Sequence, residues 1–400
     1  MNPYILLLFI GLSLATFSAA QKEQAIVRFD FYGDSILLPF NNTSLVPLPG
    51  KLEEKAIQSF VQTISQSDYS PVINALLAYK TAYKLDDWLF YQLVRKTAQQ
   101  VSPKADNYYR YTLYKWFLLT RSGYDAILAI AGDQLLFYVQ SDENIYNIPY
   151  RVKNGRQYIC LNYHDYGSID FENVQFRELA LPAVATAKKG FSYKISHLPN
   201  FRPDAYLEKD IRFNFHNSDY YFKIKLNPEV KTIFSNYPVV DYESYFNIPL
   251  SRETYQSLIP VLKQKTQKLS IKKGIDFLVH FTREAFLFEP DSAVFGAEKR
   301  LSPEQTLLYE QSDCEDRAAL FFYLVKEIYN LPMIVLSFPR HVTIAVHLKK
   351  PVGKPILYNG KKYTVCEPTP QKDELGLGQL PAGLQKQQYE IAYSYTPGQL

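Results

Sequence analysis

The sequence predicts an α+β fold in which one order of elements is used twice. Stretches with helical period are followed by alternating stretches rich in β-branched and aromatic residues, the signature of helices succeeded by strands. The same order then recurs in the second half with matches at the level of single residues. Within that second half a cysteine, a histidine and an acid each stand at the end of an element, at Cys314, His341 and Glu367. A chain of 400 residues with 47% hydrophobic content can build two or more cores.

Residues 1–20 hold an apolar core, Tyr4 to Ile10, and a small-residue cleavage site at Ser18-Ala19-Ala20. They read as a signal peptide, although no Lys or Arg precedes the core, and no cysteine follows that would take a lipid anchor. The expectation is an exported chain, periplasmic or secreted, that begins near Gln21 and has no membrane span after processing. The sequons at Asn41 and Asn42 are read as chance matches.

The first copy covers residues 21–165. Ala25 to Phe31 and Ser35 to Phe40 read as strands around the turn at Gly33-Asp34. Helical patterns follow at Leu52 to Ser65, Val72 to Tyr83, Asp87 to Gln100 and Tyr108 to Thr120, the last stopped by Gly123. Ala126 to Ala131, Leu135 to Val139 and Gln157 to Leu161 then read as strands. Residues 166–208, with Pro182, Pro199 and Pro203, read as a connector carrying a short strand at Phe191 to Ile195.

The second copy covers residues 209–400. Val27-Arg28-Phe29-Asp30-Phe31 reappears as Ile211-Arg212-Phe213-Asn214-Phe215, and Gly155-Arg156-Gln157-Tyr158 as Gly360-Lys361-Lys362-Tyr363. Asp106 to Leu113 lies over Asp313 to Leu320 without a gap, and Gln134 to Val139 over His341 to Val346. This alignment puts Asn107, Gln134 and Asn162 opposite Cys314, His341 and Glu367. None of the three titrates, so the first copy reads as catalytically silent. The second copy adds a segment from about Pro290 to Pro303, and its tail after Pro370 reads as a poorly structured extension packed back by Tyr389, Tyr393 and Tyr395.

Cys314 falls in the first turn of a helix whose apolar face runs through Leu320, Tyr323, Leu324 and Ile328. Unpaired N–H groups and the dipole at such a terminus favour thiolate over thiol. His341 opens an alternating strand, and Glu367 closes the next one before Pro368. Nucleophile, base and orienter of the base are the three roles of a Cys-His-acid triad.

With Cys314 on a helix start, His341-Val342 on a strand and Glu367-Pro368-Thr369 after a third, the chain resembles the transglutaminase-like superfamily of papain-like cysteine enzymes, over about Asp276 to Thr369. Pro303-Glu304-Gln305-Thr306-Leu307 and Ile334-Val335-Leu336 fit that pattern. Ser312 stands where the family often has glycine, and Glu367 where aspartate is commoner. The resemblance implies a helix-borne cysteine packed on an antiparallel sheet, and an exported cysteine hydrolase or peptidase acting on amide bonds of peptides, proteins or modified peptides. Cys314 would attack, His341 would protonate the leaving amine and Glu367 would hold the imidazole. The Cys314 N–H, with Gln311 or Tyr309, would supply an oxyanion hole. Acyl transfer to an amine, as in a transglutaminase, uses the same residues. A non-catalytic scaffold for peptide or glycan is the reading from another class.

Other chemistry has little support. The net charge is +4 and no run of five or more basic residues occurs, which argues against nucleic acid. No cofactor is expected, since there is no Gly-rich phosphate loop or dinucleotide fingerprint. His164, His197, His216 and His280 have no Cys, Asp or Glu at metal-ligand spacing, and His347, on the same strand face as His341, reads as a surface residue. Cys160 and Cys366 could bridge, but both also suit buried strand positions. The 33 tyrosines read chiefly as strand and core packing.

Overall fold

The computed structural model describes residues 25–40, 45–167, 169, 174–182, 184, 189–288 and 299–398. The signal-peptide reading, both sequons and most of the segment from Pro290 to Pro303 lie outside these residues.

The chain is α+β, with antiparallel sheets. Its first half opens with the hairpin β1 (Ala25–Phe31) and β2 (Asp34–Phe40), followed by α1 (Glu54–Gln66), α2 (Ser70–Ala82), α3 (Asp87–Val101) and α4 (Tyr108–Arg121). The strands β3 (Ala126–Ala131), β4 (Gln134–Gln140), β5 (Tyr150–Lys153), β6 (Arg156–Cys160) and β7 (Phe176–Glu178) form one sheet in the order β5-β6-β4-β3-β7. Residues 166–208 are therefore more than a connector, because Phe176–Glu178 completes the first sheet along β3. Phe191 to Ile195 is not a strand. It buries alternate side chains, but the N–H groups of Ser192 and Tyr193 go to the carboxylates of Asp87 and Glu143, at 3.1 and 2.7 Å, instead of to a neighbouring strand.

The second half opens with the hairpin β8 (Leu207–Phe215) and β9 (Ser218–Leu226), then α5 (Glu229–Ile233), α6 (Tyr242–Phe246), α7 (Arg252–Thr266) and α8 (Ile271–Glu284). Two-residue strands β10 (Leu287–Phe288) and β11 (Gln311–Ser312) pair in parallel on either side of α9 (Pro303–Leu308). The helix α10 (Cys314–Tyr329) leads into β12 (Met333–Phe338), β13 (His341–Val346), β14 (Ile356–Tyr358), β15 (Lys361–Cys366) and β16 (Glu390–Tyr395). Their order is β14-β15-β13-β12-β16, the first sheet's pattern strand for strand. The tail after Pro370 was expected to lack structure. Instead Glu390–Tyr395 pairs with β12 as an edge strand, and Leu380 and Leu384 cover the outer apolar face of the sheet.

The turns match as well. Asn154-Gly155 and Asn359-Gly360 all have positive φ, as a two-residue hairpin connection requires, and so do Tyr32-Gly33 and His216-Asn217 in the opening hairpins. In each half one helix is enclosed between a second helix and the sheet: α4 is buried from Tyr111 to Leu119, and α10 from Asp316 to Val325. Such helices are apolar nearly all round, so their sequence period is weak. A single apolar core runs through both halves, and Trp88 Nε1 donates to the Ile233 carbonyl across them at 2.9 Å.

Candidate active site

The first turn of α10 is built by acids that act as caps. The Asp313 side chain accepts from the Asp316 N–H at 3.1 Å, and the Asp316 carboxylate accepts from the Asp313 N–H at 3.4 Å, a reciprocal capping box. Asp316 also accepts from the Leu301 N–H at 2.8 Å and from the Tyr245 hydroxyl at 3.1 Å. Arg317 is fully buried and donates to the carbonyls of Thr282, Arg283 and Phe286, closing the end of α8 onto the start of α10. Of Asp313 to Arg317, only Cys314 and Glu315 are half-buried rather than buried.

The Cys314 thiol donates to Oε2 of Glu315 at 2.8 Å. On the strand side its helix packs against β13, which His341 opens. Burial pushes this thiol well above its ordinary range, and the charges of Glu315 and Asp313 push it further; the Val342 N–H acts the other way. The expectation of a thiolate favoured by the helix terminus thus meets two acids in the same turn that oppose it.

His341 is the first residue of β13, the strand that packs on α10, and its side chain is 13% exposed. Its Nε2 lies 2.8 Å from Oε2 of Glu367, which follows β15 and is buried. The other carboxylate oxygen of Glu367 accepts from the Thr369 N–H at 2.9 Å, and Arg283 Nε donates to the Glu367 carbonyl at 2.9 Å. The extra methylene of glutamate is thereby held in one conformation. Burial alone would lower the pKa of His341, but the bond to Glu367, its charge and that of Glu315 outweigh burial and raise it. With Nε2 on Glu367, Nδ1 is the nitrogen left to serve a nucleophile.

Gln311 is half-buried in β11, opposite Leu287. Tyr309 caps α9 and lies under the Lys231 ammonium, 4.2 Å from its ring centre, while its carbonyl accepts from Lys209 at 3.0 Å. That ring is engaged toward α5. Sequence reasoning missed Tyr242, the first residue of α6. Burial raises the pKa of its hydroxyl, the Arg300 guanidinium 4.2 Å above its ring acts the other way, and the Glu315 carboxylate raises it further. No spacing rule links Tyr242 to Cys314, so only the fold could reveal it. His347, at the far end of β13, bonds to the Lys362 carbonyl at 2.9 Å.

In the first half Asn107 is not the counterpart of Cys314. Asn107 is the N-cap of α4 and accepts from the Arg110 N–H at 2.9 Å, which is the position of Asp313; Tyr108 takes the place of the cysteine. Gln134 opens β4 as His341 opens β13, opposite Ala131 and Phe338 respectively. Strand register sets Asn162 at the place of Glu367. Asn162 is buried, accepts from the Phe137 N–H and donates to the Leu135 carbonyl and the Tyr108 hydroxyl, each at 2.8 Å. Tyr108 in turn donates to Asp165 at 2.9 Å, which pairs with Lys104 at 2.6 Å and stands 3.6 Å from buried Lys115. Burial lowers Lys115 to about 7 despite Asp165.

All three cysteines are free: Cys160 lies in the first sheet and Cys366 in the second, so no bridge joins them. Among the described residues no group of three or more His, Cys, Asp or Glu side chains is arranged to hold a metal, and no helix is long and apolar enough to cross a membrane. No protein-family model matches this chain, and no curated protein or solved structure matches it significantly.

Proposed function

We propose that the chain is an exported cysteine hydrolase of transglutaminase-like type, cleaving amide bonds of peptides or modified peptides through Cys314, His341 and Glu367. The observation that carries this reading is the 2.8 Å contact of His341 Nε2 with Glu367, at the start of the strand that packs against the helix bearing Cys314.

The thiol proton passes to Nδ1 of His341, and the sulfur forms a bond to the substrate carbonyl carbon as the π pair moves to oxygen. Glu367 holds the ring and stabilises the imidazolium. The raised pKa of His341 suits it to hold that proton until transfer. The C–N bond then breaks, the leaving amine takes the proton from His341, and water hydrolyses the thioester. The Cys314 main-chain N–H, at N1 of α10, has no partner within its own helix and is a donor for the developing oxyanion. Tyr242, on a helix that packs against α10, is a better candidate for a second donor than Tyr309, whose ring is held by Lys231. An amine in place of water gives acyl transfer with the same groups.

The test is a peptide and peptide-amide library followed by mass spectrometry. Cys314→Ala and His341→Ala should each abolish cleavage, and a peptide aldehyde should add to Cys314 alone. Cleavage that persists in Cys314→Ala overturns the reading, and saturable peptide binding without any turnover favours the scaffold.

A further inference from the structure

We propose that Glu315 sets the substrate class of this site: a residue with a free α-amino group beside the attacked carbonyl. The proposal rests on the hydrolase reading above.

The neighbouring acids have structural tasks. Asp313 and Asp316 cap α10, and Glu367 holds His341. Glu315 suits the first turn of α10 by its charge but makes no capping bond: among the described residues its hydrogen bond is to the Cys314 thiol, and no lysine or arginine pairs with it. The Arg300 guanidinium lies over the Tyr242 ring and donates to the Val240 carbonyl at 2.6 Å. A half-buried carboxylate with no lysine or arginine partner, 2.8 Å from a nucleophile, fits a recognition group for positive charge.

Reach decides where that charge sits on the substrate. A carbonyl carbon poised for attack lies about 3–3.5 Å from the sulfur. An α-nitrogen lies about 2.5 Å from its own carbonyl carbon, given ordinary bond lengths. An α-ammonium can therefore contact Glu315 while its carbonyl faces Cys314, whereas an acylated nitrogen offers no charge.

The same contact switches the nucleophile. Without substrate, Glu315 accepts the thiol hydrogen and its charge disfavours a thiolate. An ammonium that takes Oε2 removes the acceptor and neutralises the charge, and both effects favour transfer of the thiol proton to His341. Glu315 thus acts as a positioning residue that keeps Cys314 protonated until a cationic substrate arrives.

Two measurements test this. Aminoacyl coumarin amides are compared with their N-acetyl forms for kcat/KM in the wild type and in Glu315→Gln. Binding of amino-acid amides and N-acetyl amino-acid amides is measured by calorimetry on Cys314→Ala, and on Cys314→Ala combined with Glu315→Gln. The free amine should be preferred about tenfold or more in both assays, as a charge-assisted hydrogen bond allows. Glu315→Gln should bring both ratios near one, while iodoacetamide modifies its Cys314 faster than in the wild type. Equal turnover of free and acetylated substrates, or a preference that survives Glu315→Gln, overturns this inference and leaves the hydrolase standing. Amine-selective binding without turnover of any substrate overturns the hydrolase and leaves the ammonium site. Equal binding of both amides overturns the inference whatever the turnover.

Discussion

Nε2 of His341 and Oε2 of Glu367 lie 2.8 Å apart although 26 residues separate them in the chain, because β13 and β15 pair side by side and Glu367 is the first residue past the ladder. The contact raises the pKa of His341 against the pull of burial. A histidine with a raised folded-state pKa adds stability that is fully present below its unfolded value, about 6.5, and is lost as pH rises through the folded value. Glu367→Gln should lower the His341 pKa, read from its ring-proton NMR shift against pH. The stability gap between wild type and variant, from urea midpoints, should be larger near pH 6 than near pH 9.

The thiols make a second case. Cys160 and Cys366 are fully buried, and burial pushes Cys160 up to about 12 and raises Cys366 as well. Only Cys314 is half-buried. Titration with a thiol reagent should find three reactive groups in denaturant and, under native conditions, reaction at Cys314 alone. Because burial and then its acids hold that thiol up, native labelling should be slow at neutral pH and accelerate steeply toward alkaline pH. Fast labelling below pH 7 would contradict the electrostatics of the first turn.

Asn162 separates folding from chemistry. Its three short hydrogen bonds serve the first half, and Asn162→Ala leaves the buried Phe137 N–H without its side-chain acceptor and the Leu135 carbonyl with the Tyr166 hydroxyl but not the amide. A loss of about 2–3 kcal/mol is expected, from urea unfolding. Any turnover at Cys314 should be unchanged at temperatures where the variant is folded.

Arg317 is a further structural anchor. Replacing it with methionine strands the buried carbonyls of Thr282 and Phe286 at the end of α8. Stability should fall by about 3 kcal/mol or more. If the variant unfolds at the wild-type urea midpoint, this arginine does not close α8 onto α10.

Helices and strands of both halves were legible because each buries one side, which leaves a period of 3.6 or 2 in the chain. That holds for the opening hairpin β1–β2, where β2 buries alternate residues and Gly33 in the turn has positive φ. Cys314, His341 and Glu367 were singled out from residue type and element ends, and the repeat was visible as matched order. The edge strands β7 and β16 were not legible, because short strands at the rim of a sheet carry little periodic burial. The counterpart of Cys314 in the first half slipped by one residue, since only cap geometry separates Asn107 from Tyr108.

The sequence by itself therefore determined the helices and inner strands of the first half and which reactive side chains stand at element ends, since both depend on neighbours along the chain. Tertiary structure alone decided that Glu367 reaches His341, that Asp316 takes up the Leu301 N–H and the Tyr245 hydroxyl, and that Arg317 closes on the carbonyls of Thr282 and Phe286. Those outcomes depend on distances between segments tens of residues apart, and the charge felt by a thiol depends on such distances and on burial, neither of which leaves a period in the sequence.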